Sequence, residues 1–274
     1  MTGRLYVVGT PIGNLGDLSE RARQTLASAD LVAAEDTRRT GRLLAHAGIK
    51  TKMVSLFEGN ERQRVDEVLE RLRDGTTVAL VTDAGMPAVS DPGFLLVRAA
   101  VDAGVEVGVV PGPSAVTAAL VVSGLPTDRW VFEGFLPRRG SERRARLRAL
   151  AEDPRTVVLF ESPLRVVALL RDVLDELGDR RAALARELTK LHEEVVRGRV
   201  SEVLASLGDS EPRGEIVLVL EGAEPPEAGL DELVDEARRL VAEGMRKREA
   251  AAAVARRRGG SANAIYEELV RPAG

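Results

Sequence analysis

Short apolar runs and longer amphipathic stretches alternate along the first 124 residues. Strand-like runs fall at 5–8, 31–34, 52–56, 78–81 and 105–110. Helix-like runs lie between them at 18–29, 40–47, 62–73 and 94–103. Strand and helix in strict alternation predict a parallel α/β sheet, because each crossover returns the chain to the same sheet edge. A helix over 114–123 is expected to close this half, and Gly124-Leu125-Pro126-Thr127 reads as a linker.

The second half has a different rhythm. Strands are expected at 130–135, 156–160, 182–186, 194–199 and 215–220, with helices at 141–152, 163–177 and 200–207. The strands at 182–186 and 194–199 leave no room for a crossover helix, so a mixed sheet with an antiparallel part is predicted. Gly222-Ala223-Glu224-Pro225-Pro226-Glu227 reads as a second linker. Beyond it Leu230, Leu233, Val234, Ala237, Leu240 and Val241 recur at helical spacing, and Gly244 stops that helix. A second helix over 246–258 carries an alanine-rich face with basic flanks. Gly259-Gly260 turns the chain, and Ser261 is suited to cap a third helix ending near Val270. The expected architecture is therefore two α/β domains, 1–124 and 128–222, with a cleft between them. A small helix-turn-helix-like extension follows at 228–274.

Three loops of small residues follow strands directly. The strand at 5–8 runs into Gly9-Thr10-Pro11-Ile12-Gly13-Asn14, that at 78–81 into the 82–93 loop, and that at 105–110 into Pro111-Gly112-Pro113-Ser114-Ala115. In an open parallel sheet these loops share the carboxyl edge, where ligands bind. The first loop is not a dinucleotide fingerprint. Pro11 stands where a backbone N–H would face a pyrophosphate. Glu35-Asp36 does mimic a ribose-binding acid, which keeps a nicotinamide cofactor as a minor alternative. No strand is followed by the Gly-Lys-Ser/Thr of a P-loop.

Composition narrows the classes further. The 274 residues contain no cysteine and two histidines, which removes disulfide, thiolate and cysteine–zinc chemistry. No apolar run approaches a bilayer span, and no signal peptide is read at the N-terminus, so a cytoplasmic location is expected. Net charge is −4, yet positive charge is clustered. Residues 138–148 hold six arginines against one glutamate, and 246–258 hold six Arg/Lys against one glutamate. An arginine bias of 35 against four lysines accounts for part of this. The two clusters still suit a polyanion.

The motifs carry a resemblance. The run from Gly9 to Ser19 resembles the opening of the tetrapyrrole-methylase superfamily. Glu35-Asp36-Thr37-Arg38, the 83–93 loop, Pro111-Gly112-Pro113-Ser114-Ala115 and Glu133-Gly134-Phe135-Leu136-Pro137-Arg138 resemble its ribosomal-RNA-methylating branch. Phe160-Glu161-Ser162-Pro163, Arg186-Glu187-Leu188-Thr189-Lys190 and Gly214-Glu215-Ile216-Val217 continue the match, which covers 4–222. The resemblance implies an enzyme that binds S-adenosylmethionine in the interdomain cleft, usually as a homodimer. It implies methylation of the ribose 2′-hydroxyl of one cytidine in the decoding region of 16S rRNA, within the small ribosomal subunit. By motif position the cofactor would meet Pro11, Ile12, Asp83, Met86, Val89, Ser114, Ala115, Phe160, Glu161, Leu188, Glu215 and Ile216. The chain departs from the pattern at Met86, where threonine is usual, at Gly59-Asn60-Glu61, where His-Asn-Glu is usual, and at Leu164, where histidine is usual.

Methyl transfer needs positioning, no metal, and a base if the acceptor is a hydroxyl. Glu35, Asp36, Glu187 and Lys190 are the candidates for that base, each with a loop-fixing salt bridge as the plainer role. Asp83 and Asp91 are expected to hold their loop by accepting backbone N–H groups. His46 and His192 read as structural or surface residues. Arg38, Arg39, Arg138, Arg139, Arg143, Arg144, Arg246, Lys247, Arg256 and Arg257 are the expected RNA-facing groups. Two other functions are carried forward: a porphyrinoid methylase, and a non-catalytic RNA-binding assembly factor.

Overall fold

The computed structural model describes residues 3–208, 214–224 and 229–271. These form two compact units, one from 3–148, 155–208 and 214–221, the other from 149–154, 222–224 and 229–271. Residues 225–227 of the expected second linker, and residue 228, lie outside the described residues.

The first unit opens with a five-stranded sheet. Its strands are β1 (Arg4–Val8), β2 (Leu31–Ala34), β3 (Met53–Ser55), β4 (Val78–Val81) and β5 (Glu106–Val110), in the spatial order β3-β2-β4-β1-β5, all parallel. Alternate side chains divide between two faces. Leu5, Leu31, Ala33, Val78 and Leu80 pack with Val65, Val68, Leu69 and Leu72 of α3 (Glu61–Arg73) and Leu96 and Ala100 of α4 (Phe94–Asp102). Val8, Val32, Ala34, Ala79 and Val81 pack on the other side with Ala22 and Leu26 of α1 (Glu20–Ser28) and Leu44 of α2 (Thr37–His46). Burial on both faces explains why β2 and β4 read as unbroken apolar runs. The α2 helix starts three residues before its apolar period, because Asp36 caps it by accepting from the Arg38 N–H at 2.8 Å.

The second sheet has the order β6-β7-β10-β8-β9, from β6 (Trp130–Phe135), β7 (Thr156–Glu161), β8 (Arg181–Arg186), β9 (Glu194–Arg199) and β10 (Ile216–Leu220). β6 and β7 are parallel; the other pairs are antiparallel. The mixed sheet matches the sequence expectation. α5 (Ala115–Ser123) does not close the first half as expected. Val116, Ala119 and Leu120 pack on Val158, Ala183, Ala185, Val217 and Val219 of the second sheet. This helix is apolar nearly all round, so its pattern could not say which sheet it would cover. α6 (Ser141–Arg148), α7 (Val166–Leu177) and α8 (Val200–Ser206) complete the unit; α6 and α7 are shorter than their sequence expectations.

The second unit holds α9 (Leu230–Ala242), α10 (Lys247–Arg258) and α11 (Ala262–Val270). Leu233, Val234, Ala237, Ala250, Ala251, Val254, Ile265 and Leu269 form its core. Ser261 caps α11 by accepting from the Ala264 N–H. No described helix is long and apolar enough to cross a membrane.

Candidate functional site

The three small-residue loops meet. The Gly9 N–H donates to the Val110 carbonyl at 2.9 Å. Thr10 and Gly85 exchange backbone hydrogen bonds of 2.9 and 3.1 Å, and the buried Thr10 hydroxyl donates to the Thr82 carbonyl at 3.0 Å. The first loop is therefore bonded to the second loop and to the end of the strand that leads into the third. Beside it lies a cavity of about 360 Å³, a size suited to a small cofactor. Its walls come from Ile12, the 84–91 loop and Ser114-Ala115-Val116 on one side. Phe135, Phe160–Pro163, Leu188 and Gly214–Val217 form the other.

Ten of the twelve positions singled out for the cofactor line this cavity: Ile12, Met86, Val89, Ser114, Ala115, Phe160, Glu161, Leu188, Glu215 and Ile216. Pro11 is buried and does not reach the wall. Asp83 faces another way. Its carboxylate accepts from the Asp36 N–H at 3.2 Å and pairs with Arg39 at 3.2 Å, the loop-fixing role expected for it. Ala84, Gly85, Ser90, Asp91, Val116, Phe135, Ser162, Pro163, Gly214 and Val217 also line the cavity and were not singled out as cofactor contacts. All of these but Val116 lie inside the motifs that carry the resemblance; Val116 follows one directly and looks like ordinary core.

The second-sheet wall is apolar and aromatic with one charged group set into it. Phe160 packs against Phe132 edge-on at 4.9 Å and against Phe135 at 5.5 Å. Glu161 is buried at the end of β7. One of its oxygens accepts from the Ser162 N–H at 2.6 Å and from Arg165 at 2.5 Å. The other, Oε2, is buried and has no hydrogen-bond partner among the described residues. A buried acceptor in a cavity wall is costly unless a ligand donates to it.

The four candidate bases are occupied elsewhere, and none lines the cavity. Glu35 accepts from the Asp83 N–H at 3.1 Å; burial raises its pKa, opposed by that hydrogen bond. Asp36 is the α2 cap, and its hydrogen bonds to Arg38 hold its pKa down to about 2, which makes it a weak base. Glu187 accepts from Lys190 at 2.9 Å and from the Glu215 N–H at 3.0 Å; the Lys190 bond lowers its pKa. Burial alone would lower the Lys190 pKa, but its bonds to Glu187 and Glu215 together outweigh that and raise it. Lys190 is therefore held charged.

Asp91 is the exception. It lines the cavity, and no hydrogen bond to its carboxylate forms among the described residues, so it does not hold its loop as expected. Burial raises its pKa to about 7, helped by repulsion from Glu35, Asp83 and Glu215. A carboxylate near neutrality fits general-base work. The signal was its place between two prolines and glycines in a loop already marked as functional; its titration needed the neighbours.

The arginines divide by exposure. Arg38, Arg39, Arg138, Arg139 and Arg144 are exposed or half-exposed on the first unit, and Arg246, Lys247, Arg256 and Arg257 are exposed on the second. Arg143 is not. It is buried at 5% exposure and paired with buried Asp172, so it is a structural residue and not an RNA-facing one. His46 lies in the last turn of α2, and His192 is exposed in the turn before β9. Among the described residues no His/Asp/Glu cluster could hold a metal ion.

One parallel sheet, one mixed sheet and a loop-walled cavity are the frame in which the family likeness is read. The chain belongs to the family of Tetrapyrrole (Corrin/Porphyrin) Methylases, whose model matches residues 4–204. It is 50% identical over 222 residues to the ribosomal RNA small subunit methyltransferase I of Thermotoga maritima, covering 81% of this chain and 100% of the relative. It is 49% identical to the protein of the same name from Mycobacterium tuberculosis, over 93% of this chain and 90% of the relative. A solved uroporphyrin-III C-methyltransferase of Thermus thermophilus, complexed with S-adenyl homocysteine, superposes with a TM-score of 0.56. It shares 26% identity, over 80% of this chain and 97% of the other.

Proposed function

We propose that this chain methylates the ribose 2′-hydroxyl of one cytidine in the decoding region of 16S rRNA, presented by the small ribosomal subunit. S-adenosylmethionine is the methyl donor; when bound, its sulfonium supplies an activated methyl group. The observation that carries the RNA reading is the 50% identity along the whole Thermotoga relative, against 26% to the porphyrin methylase. The cavity fits the donor chemically. The unpartnered Glu161 oxygen can accept from an ammonium or hydroxyl, and Phe160 and Phe135 offer a face to a flat heterocycle. Pro11 and Asp83 then support the loops from behind.

Each remaining role falls to a residue of the chain. Asp91 accepts the proton of the attacking hydroxyl. Ionised near neutrality, it is basic enough to help and acidic enough to be available. Lys190 stays charged between Glu187 and Glu215 and fixes the segment that carries Leu188. Arg38, Arg39, Arg138, Arg139 and Arg144 meet phosphates, as do Arg246, Lys247, Arg256 and Arg257 of the helical unit. These contacts give affinity, while the folded particle supplies the shape that selects one nucleotide. The working form is proposed to be a cytoplasmic homodimer.

Transfer of labelled methyl from S-adenosylmethionine tests the assignment, with small subunits, naked 16S rRNA and a tetrapyrrole precursor as competing acceptors. Label on the subunit is expected. Label on the tetrapyrrole alone overturns the RNA assignment, and no label with no cofactor binding favours the assembly factor.

A further inference from the structure

We propose that Glu61 is a positioning residue that holds the cavity loop carrying Val89, Ser90 and Asp91 in its working shape; this rests on the reading of that cavity as the donor site. Glu61 opens α3 and sits in the Gly59-Asn60-Glu61 run, 33 positions before the start of α4. A glutamate in the first helical turn ordinarily serves its own helix in water. Glu61 does neither. It is 7% exposed, and its Oε1 accepts from the Gly93 N–H at 2.9 Å and from the Leu95 N–H at 3.0 Å. The donors are the cap residue of α4 and a residue of its first turn. That helix has Gly93 at its cap position, with no side chain to satisfy its free N–H groups. The missing cap is supplied from α3.

The loop before α4 needs such an anchor. Ala88 (φ 67°) and Ser90 (φ 61°) both sit in the left-handed region without being glycine, and Gly93 has φ 123°. Side chains disfavour that region, so the conformation persists only if its surroundings impose it. At its start the loop is tied to the first loop through Gly85 and Thr10. At its end the Glu61 carboxylate is the tie. Between them stand the residues that face the cavity. Asn60 makes the reach possible: it accepts from the Phe57 N–H at 2.8 Å and donates to the Ser55 carbonyl at 3.1 Å, fixing the entry to α3 on the end of β3.

The proposal predicts an order among three variants of the full chain. Glu61→Gln keeps an oxygen that can accept both N–H groups, and should bind S-adenosylhomocysteine within about threefold of the parent. Glu61→Ala leaves two buried donors unpaired. It should weaken binding at least tenfold by calorimetry and speed amide exchange at Gly93 and Leu95. Val65→Ala, in the core of the same helix, should lower the melting temperature without weakening binding. Tight binding by Glu61→Ala, or equal weakening in Val65→Ala, overturns the proposal. Failure of the parent chain to bind S-adenosylhomocysteine would instead remove the donor reading on which it rests.

Discussion

Gly9 and Gly112 lie backbone against backbone. A Cβ on Gly9 would stand 2.6 Å from the Cα of Gly112, and a Cβ on Gly112 would stand 2.8 Å from the carbonyl carbon of Gly9. Neither distance is open to a real side chain. This contact lets the first and third loops close together behind Ile12, Ser114 and Ala115. Gly112→Ala must push backbone from backbone, which no rotamer change relieves. It should cost about 1–3 kcal/mol of stability and weaken S-adenosylhomocysteine binding more than tenfold. Calorimetry and denaturant unfolding on one preparation check both.

Asp91 gives stability a pH dependence of definite sign. Its pKa moves from an ordinary 3.8 to about 7 in the folded chain. The folded state thus holds this proton more tightly than the unfolded state. Its contribution to stability falls as pH rises from about 4 to about 7. Asp91→Asn should therefore be more stable than the parent at pH 8 and nearly equal to it at pH 4, by urea unfolding. The same variant should lose about 10²–10⁴ in kcat and the rise in rate near pH 7.

Arg143 and Arg139 sit in one basic cluster but should behave oppositely. Arg143→Ala leaves the buried Asp172 carboxylate, among the described residues, to one exposed neighbour, Arg144, at 3.3 Å. The expected loss is about 3–5 kcal/mol of stability. Thermal melting shows it directly.

Arg138 and Arg139 are exposed at the start of that cluster. Replacing both with Ala should leave the melting temperature unchanged. Affinity for small subunits should fall, and the slope of log K against log salt should lose nearly two units, one for each phosphate contact. Binding titrations across a salt series measure the slope.

Four strands of the first sheet were legible because β2 and β4 are buried on both faces, while β1 and β5 run at once into glycine or proline. β2 and β4 carry no polar residue, and nothing but a central parallel strand suits them. The cavity was legible as loops, since Ile12, Met86 and Ser114 each follow a strand end. What escaped was tertiary. The allegiance of α5 depends on which sheet packs against it, and a sequence apolar nearly all round does not say which. Asp36 and Asp91 are both loop aspartates in sequence. The fold turns Arg38 onto the first, which makes it a weak base, and buries the second beside three carboxylates, which makes it a stronger one. Arg143 is indistinguishable from its neighbours until Asp172 arrives from α7, and Glu61 acts on a helix that begins 33 residues later.

Mass spectrometry of the nucleosides from small subunits treated with this protein and S-adenosylmethionine is the most direct measurement. The account predicts a single new methyl group, on the ribose of one cytidine in the decoding region, absent when Asp91→Asn replaces the parent. A methyl group on a base, or subunits left unmodified while a tetrapyrrole is methylated, would contradict it.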